Sequence, residues 1–317
     1  MKKLSKIIIC AVCAALAVTL AIKPEIFVTS ALNGLKLWAL VVLPALLPFF
    51  FLTALLSSLG LTDFLSKIFE RPFGKIFRTS GVCAYAFLTS VLSGYPVGAK
   101  IICDLKNRGL ITADEATRAS TFCSTSGPLF VIGSVGFGMF QNKTAGVKIL
   151  ICHVISAVLC GLVFRFYGKR ENNDNRLIRR EINTDNVLYD CVYSSVVSVA
   201  VVGGFICVFY LFADAFEYFG ATRLLSAPIT AIVKDENTGV AIANGVIECT
   251  RGCMKLAQCG TNELTVSLAC ALISFGGISV WAQSLAFLKK AKVNSLVFIS
   301  SKILQTIIAF LLCLLIY

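Results

Sequence analysis

The residues best suited to binding a ligand lie in the octet SGYPVGAK at positions 93–100. Gly94 and Gly98 permit backbone angles that other residues resist, and Pro96 lacks the amide hydrogen that a continuous helix needs. We therefore expect two half-helices, with free amides at the start of the second one that could bind a carboxylate or phosphate oxygen. Lys100 would add a positive charge there, or would extend to the inner membrane surface from a merely kinked helix. The predicted binding residues of this octet are Ser93, Gly94, Tyr95, Pro96, Gly98 and Lys100.

A second group of polar side chains follows in the sequence CSTSGP, at positions 123–128. Its hydroxyl groups could bind a polar ligand, or could satisfy the carbonyl groups that Pro128 leaves unpaired in a membrane helix. The sequence leaves both interpretations open. The predicted binding residues of this group are Ser124, Thr125, Ser126 and Gly127.

The second half of the chain contains a counterpart to each of these motifs. In NGVIECTRG, at 244–252, Glu248 and Arg251 share one helical face and could neutralise each other. Ionisable residues inside a membrane segment are costly and usually functional, and an Arg251 that faced the cavity would suit a carboxylate ligand. SFGGISVWAQ, at 274–283, mirrors the serine-rich motif. The predicted binding residues of this half are Glu248, Thr250, Arg251, Gly277, Ser279 and Gln283.

Membrane helices must position these motifs, because the chain is 57% hydrophobic and only 15% charged, with a mean hydropathy of +0.84. Each crossing needs about 20 residues, so 317 residues leave no room for a sizeable soluble domain. We predict an all-α polytopic membrane protein with about seven transmembrane helices, near residues 4–22, 35–59, 118–140, 147–167, 188–213, 262–287 and 294–316. Two further apolar segments, 84–105 and 238–258, are interrupted near their middles and are predicted to be re-entrant hairpins.

The basic residues predict the orientation of these segments. If both hairpins enter and leave on one side, Lys and Arg collect on the side of the N-terminus, which is then cytoplasmic. The net charge of +12 is therefore a topology signal, and no nucleic acid is expected as a partner. Each half has a span, a hairpin and two more spans, and therefore crosses the membrane three times. Because three is an odd number, the second repeat is predicted to be inverted relative to the first. The predicted divisions are an N-terminal helix at 1–34, a first repeat at 35–168, a basic cytoplasmic linker at 169–187 and a second repeat at 188–317.

The sequence offers little support for an enzyme. His153 is the only histidine, and a serine protease pairing with Ser126 would lack the glycine expected two residues before the serine. We expect His153 to face lipid or to pack between helices. No P-loop, dinucleotide motif or metal-ligand cluster occurs in the sequence, and most of the 14 cysteines are isolated on apolar faces. We predict no enzymatic activity, no cofactor and no metal site.

At these motifs the chain resembles the family of sporulation integral membrane proteins called YlbJ or SpoVV, which carry a nucleoside-transporter-like gate domain. The resemblance covers about residues 35–316, although Trp281 stands where a smaller polar or imidazole side chain is expected. It implies an architecture similar to concentrative nucleoside transporters. It also implies a role in endospore formation, in which dipicolinate crosses the outer forespore membrane. The matching segments are residues 93–100, 111–116, 123–128, 248–250 and 277–283.

Three functions remain open from the sequence. The first is a transporter of a small anion, with dipicolinate as the implied substrate, and the second is a nucleoside transporter in which Glu248 would bond ribose hydroxyls. These two differ in whether Lys100 and Arg251 face the cavity. The third is a non-transporting organiser of spore envelope assembly, for which broken hairpins would be superfluous.

The expected location is the lipid bilayer of the cell membrane or the outer forespore membrane. The N-terminus is predicted to be cytoplasmic, unless the first span is a signal peptide that is cleaved. Besides the bilayer and a small-molecule anion, the sequence leaves open a coupling ion and a second copy of the chain as partners.

Overall fold

The computed structural model describes residues 14, 17–169 and 186–316, and every regular element within them is helical. The prediction of an all-α membrane protein is therefore confirmed. Most of the predicted span at 4–22 and of the predicted linker at 169–187 lies outside the described residues. Within the described part, four segments are long and apolar enough to cross a membrane: Lys143–Phe164, Val187–Tyr218, Glu263–Leu288 and Ser295–Ile316.

Between Pro24 and Phe164, the described first half contains seven α-helices and two π-helical stretches. A π-helical turn joins α1 to α2, so the chain is helical without a break from Pro24 to Ser58. The elements are α1 (Pro24–Leu37), the π-turn (Trp38–Val42), α2 (Leu43–Ser58), α3 (Leu61–Ile76), α4 (Val82–Ser93), α5 (Val97–Asn107), α6 (Ala113–Ser120), the π-helix (Leu129–Met139) and α7 (Lys143–Phe164).

The described second half contains seven α-helices in a similar order. They are α8 (Val187–Tyr218), α9 (Ala221–Val233), α10 (Glu236–Ile247), α11 (Cys249–Gln258), α12 (Glu263–Phe275), α13 (Gly277–Leu288) and α14 (Ser295–Ile316). In both halves a long helical stretch ends at a glycine with positive φ, Gly60 at +91° and Gly220 at +72°. A short helix, a pair of helices, an interrupted helix and a final long helix follow. The inversion of the second half relative to the membrane stays a prediction.

Two spans that the sequence predicts as continuous are interrupted. In the span at 118–140, α6 ends at Ser120 and the backbone is not helical again until Pro128, the N-cap of the π-helix. In the span at 262–287, α12 ends at Phe275 because Gly276 adopts a left-handed conformation with φ +83°. We call residues 121–128 the first break and residues 276 and 277 the second break. Gly276 explains the second interruption, and Pro128 prevents the π-helix from extending backwards into the first break.

Two apolar cores hold the interrupted helices in place. Near the first break, Phe122 stacks on Phe77 with ring centroids 4.2 Å apart. The other core lies between α7, α12 and α14, where Ile149, Val266 and Ala309 are fully buried. The final long helix of each half thus packs against the interrupted helix of the second half.

Candidate substrate-binding cavity

The helix that contains the octet is interrupted between Ser93 and Val97. Its two arms fold against each other, since a Cβ atom placed on Gly98 would lie 2.8 Å from the Cβ of Ser90. In a continuous helix these two residues would be roughly 12 Å apart along the axis. We call this pair of helices, α4 and α5, the first hairpin. Gly94, with φ +88°, forms its tip and approaches Gly127 of the first break.

The second hairpin consists of α10 and α11. A Cβ atom on Gly252 would lie 2.3 Å from the Cα of Gly245, so these arms also fold back on each other. Glu248 separates them in an extended conformation and caps α11. Its carboxylate accepts hydrogen bonds from the backbone amides of Arg251 (2.7 Å) and Thr250 (3.2 Å). A carboxylate at this position satisfies free amides and interacts favourably with the helix dipole.

A cavity lies where the two hairpins meet the two breaks. Its empty volume is about 660 Å³, a figure that includes open solvent at its mouth. Apolar side chains from the π-turn, α8 and the π-helix form part of its wall, among them Val42, Val202 and Phe130. Nine of the residues predicted from sequence line it: Ser93, Gly94, Tyr95, Ser126, Gly127, Glu248, Thr250, Ser279 and Gln283.

Several predicted binding residues serve packing instead and do not line the cavity. Gly98 allows α5 to contact the Cys123 carbonyl, because a Cβ atom there would lie 1.8 Å from that oxygen. The Thr125 hydroxyl is hydrogen-bonded to the Ser90 hydroxyl (2.9 Å). Gly277, at φ +72°, lets the second break approach the tip of the second hairpin. The predicted residues outside the cavity lining are Pro96, Gly98, Lys100, Ser124, Thr125, Arg251 and Gly277.

Lys100 and Arg251, the two cationic residues predicted to contact the substrate, both extend to helix α8. Arg251 forms ion pairs with Asp214 and Glu217, the latter at 2.6 Å, and this differs from both sequence interpretations of Arg251. Its expected partner Glu248 is occupied as the cap of α11, while α8 supplies the two carboxylates. Lys100 donates a hydrogen bond to the Ser198 hydroxyl at 2.9 Å. Among the described residues, therefore, no Lys or Arg lines the cavity.

His153, which sequence analysis placed facing lipid or between helices, connects the two interrupted helices. It is fully buried in α7. Its Nε2 accepts a hydrogen bond from the Ser126 amide at 2.8 Å, so Nδ1 carries the proton and donates it to the Ser274 hydroxyl at 2.8 Å. His153 thus satisfies a backbone group that the first break leaves free and links it to the end of α12.

Lys302 and Trp281 satisfy the carbonyl groups that the breaks leave free. Lys302, in α14 and 1% exposed, donates hydrogen bonds to the Ser124 carbonyl and to the Tyr95 hydroxyl at 3.2 Å. The indole of Trp281 donates to the Phe275 carbonyl at 2.6 Å, which explains the departure noted at this position. Lys302 is absent from the residues predicted to bind, although an ionisable residue inside an apolar span is itself a signal of function.

Comparisons with known proteins agree with the motifs. Residues 39–152 match a family model described as Gate, nucleoside recognition. The sporulation integral membrane protein YlbJ of Bacillus subtilis (strain 168) is 28% identical over an alignment of 334 positions, which covers 98% of this chain and 82% of YlbJ. No solved structure matches the chain. The resemblance drawn from the motifs is confirmed.

Proposed function

We propose, from the premise that this chain resembles the YlbJ sporulation membrane proteins, that it transports a small anionic metabolite, dipicolinate, across a membrane during sporulation. The observation that supports transport most directly is the meeting of four interrupted segments at one cavity. Interrupted backbone inside a membrane protein is tolerated where it is buried in protein or lines a water-filled cavity. Paired interruptions in two halves are typical of transporter binding sites.

The chemistry of the cavity suits a small flat molecule with polar substituents. Val42, Val202 and Phe130 offer an apolar surface to an aromatic ring. The Ser93 hydroxyl is buried and has no hydrogen-bond partner in the described part of the chain, so it is available to a ligand. Ser279 and Gln283 add hydrogen-bond donors from α13. A pyridine dicarboxylate could place its ring on the apolar wall and its carboxylates on these donors.

Nucleoside transport is the second candidate, because the described lining contains the carboxylate of Glu248 and no Lys or Arg. A carboxylate can accept hydrogen bonds from ribose hydroxyls, and the matching family model is described as nucleoside recognition. A membrane organiser without transport would have no use for this cavity.

Uptake into lipid vesicles that contain the purified full-length chain distinguishes the candidates. We expect saturable uptake of labelled dipicolinate that excess unlabelled dipicolinate suppresses and uridine does not. Deleting the gene in its sporulating host is expected to lower the dipicolinate content of the spores. Uptake of uridine alone would favour the second candidate, while uptake of neither compound by folded protein would contradict transport of both.

A further inference from the structure

We propose that the buried ammonium group of Lys302 gives the cavity its preference for an anion, acting from behind Tyr95. This inference rests on the proposed function and adds to it the residue that selects the charge of the substrate. Lys302 is a positioning and specificity residue in this role, because it does not itself line the cavity.

The hydrogen-bond partners of Lys302 in the described part of the chain are neutral groups. The described residues include no carboxylate that forms an ion pair with it. Its partners are the Ser124 carbonyl, the Tyr95 hydroxyl and the side-chain carbonyl of Gln305 at 2.7 Å. Neutral acceptors stabilise an ammonium ion but leave its net charge in place. A charge that no ion pair compensates acts over a longer distance in the protein interior than in water.

Tyr95 places this charge directly behind the cavity wall. Its ring centroid is 5.0 Å from the Lys302 nitrogen, and its hydroxyl accepts from that nitrogen while donating to the Ile273 carbonyl at 3.3 Å. Tyr95 and Ile273 both line the cavity. The positive potential of Lys302 is therefore separated from the cavity by one side chain.

Lys302 decides the charge preference of the cavity because the other cations nearby are engaged elsewhere. Glu248 is the acidic residue of the described lining, and its carboxylate accepts hydrogen bonds from the amides at the start of α11. Arg251 is paired with two carboxylates, and Lys100 points to α8. If Lys302 lost its charge, the carboxylate of Glu248 would be the charged group left at the described lining, and an anion would be disfavoured relative to a neutral molecule of the same shape.

The test compares uptake of dipicolinate with uptake of pyridine-2,6-dicarboxamide, a neutral molecule of similar outline, in vesicles containing the full chain. The ratio of the two uptake rates cancels differences in the amount of folded protein. We expect Lys302→Gln to lower this ratio by about tenfold or more, as expected for loss of a nearby complementary charge. Lys302→Arg and the control Lys100→Gln are expected to keep the ratio within about threefold of wild type.

A second variant neutralises the charge while leaving the lysine in place. Gln305→Glu puts a carboxylate beside the Lys302 nitrogen, and we expect it to lower the ratio as Lys302→Gln does. This variant decides the question if Lys302→Gln gives no folded protein. An unchanged ratio in the folded variants would overturn the role of Lys302 and leave the proposed function standing. Wild-type protein that carries neither compound would overturn the proposed function, and the inference with it.

Discussion

The second arm of each hairpin contacts α8, and the two contacts differ in strength. In the first hairpin, Lys100 donates a hydrogen bond to the neutral Ser198 hydroxyl. In the second hairpin, Arg251 is paired with Asp214 and Glu217, two charged partners. Both donors are cations, but only Arg251 faces opposite charges, and it has two carboxylate partners where Lys100 has one neutral hydroxyl. We therefore expect the first hairpin to separate from α8 more readily than the second.

The tips of the two hairpins also differ, because only the second tip depends on a charged side chain. Gly94 and Pro96 interrupt the first hairpin through backbone properties alone, and the start of α5 has no side-chain cap. The tip of the second hairpin depends on the side chain of Glu248, which satisfies two amides of α11. One substitution at Glu248 can therefore weaken the second tip, whereas the first tip contains no single capping side chain to remove.

The largest effect is expected where the first hairpin contacts the first break. Gly98→Ala would bring a methyl group to 1.8 Å from the Cys123 carbonyl, and a backbone atom cannot move aside as a flexible side chain can. We expect a loss of more than about 3 kcal/mol in stability, measured as a large fall in the unfolding temperature in detergent.

Gly204→Ala in α8 is the matched control, because no atom other than those of its chain neighbours and the adjacent backbone of the same helix lies within 4 Å of the added methyl group. We expect it to be neutral or to stabilise the protein by roughly 0.5 to 1 kcal/mol, since alanine favours a helix more than glycine does. Equal unfolding temperatures for the two variants would contradict the close packing of α5 on the first break.

The next largest loss of stability is expected when the contact between the second hairpin and α8 is removed. Arg251→Ala leaves Asp214 and Glu217 without their main partner, and we expect a loss of about 2 to 3 kcal/mol. This loss is smaller than the 3 to 5 kcal/mol typical of breaking a fully buried pair, because the Glu217 side chain is about half exposed and water screens its charge. Unfolding temperature and membrane abundance measure the effect.

Lys255→Ala is a suitable control, because Lys255 contacts the same Glu217 at 3.7 Å and is more exposed than Arg251. We expect this variant to lose less than about 0.5 kcal/mol. Adding Asp214→Asn and Glu217→Gln to Arg251→Ala is expected to recover part of the loss. Normal stability combined with abolished uptake in Arg251→Ala would instead identify Arg251 as a substrate contact.

A smaller effect on stability is expected at the tip of the second hairpin. Glu248→Ala removes the cap of α11 and is expected to cost about 1 to 2 kcal/mol. Glu248→Gln keeps one oxygen that can accept from these amides, so we expect it to lose less. Glu236→Gln changes an exposed carboxylate in the neighbouring α10 and serves as the control, expected within about 0.5 kcal/mol of wild type. Equal stability of Glu248→Ala and this control would remove the proposed difference between the two tips.

Local sequence predicted the interruption of the first hairpin, because Gly94 and Pro96 act through their own backbone geometry. The lining of the cavity was predicted in part for the same reason. The spans at 118–140 and 262–287 were predicted as continuous, and their interruptions were not predicted. The partners of Arg251 could not be predicted, since Asp214 lies 37 positions away in a helix whose facing side depends on tertiary packing. His153 and Lys302 are isolated polar residues in apolar helices, and nothing nearby in the sequence shows which backbone groups they satisfy.

The smallest effect is expected at the attachment of the first hairpin. Lys100→Ala removes one hydrogen bond to Ser198, and the Ser198 hydroxyl remains hydrogen-bonded to the Ser194 carbonyl at 2.6 Å. We therefore expect a loss of at most about 1 kcal/mol.

Because Lys100 does not line the cavity, the concentration of dipicolinate that gives half-maximal uptake should stay unchanged in Lys100→Ala. A weaker attachment should free the first hairpin, so the maximal rate is expected to stay equal or to rise slightly. A large fall in apparent affinity would instead show that Lys100 reaches the substrate and that the attachment to α8 is broken during transport.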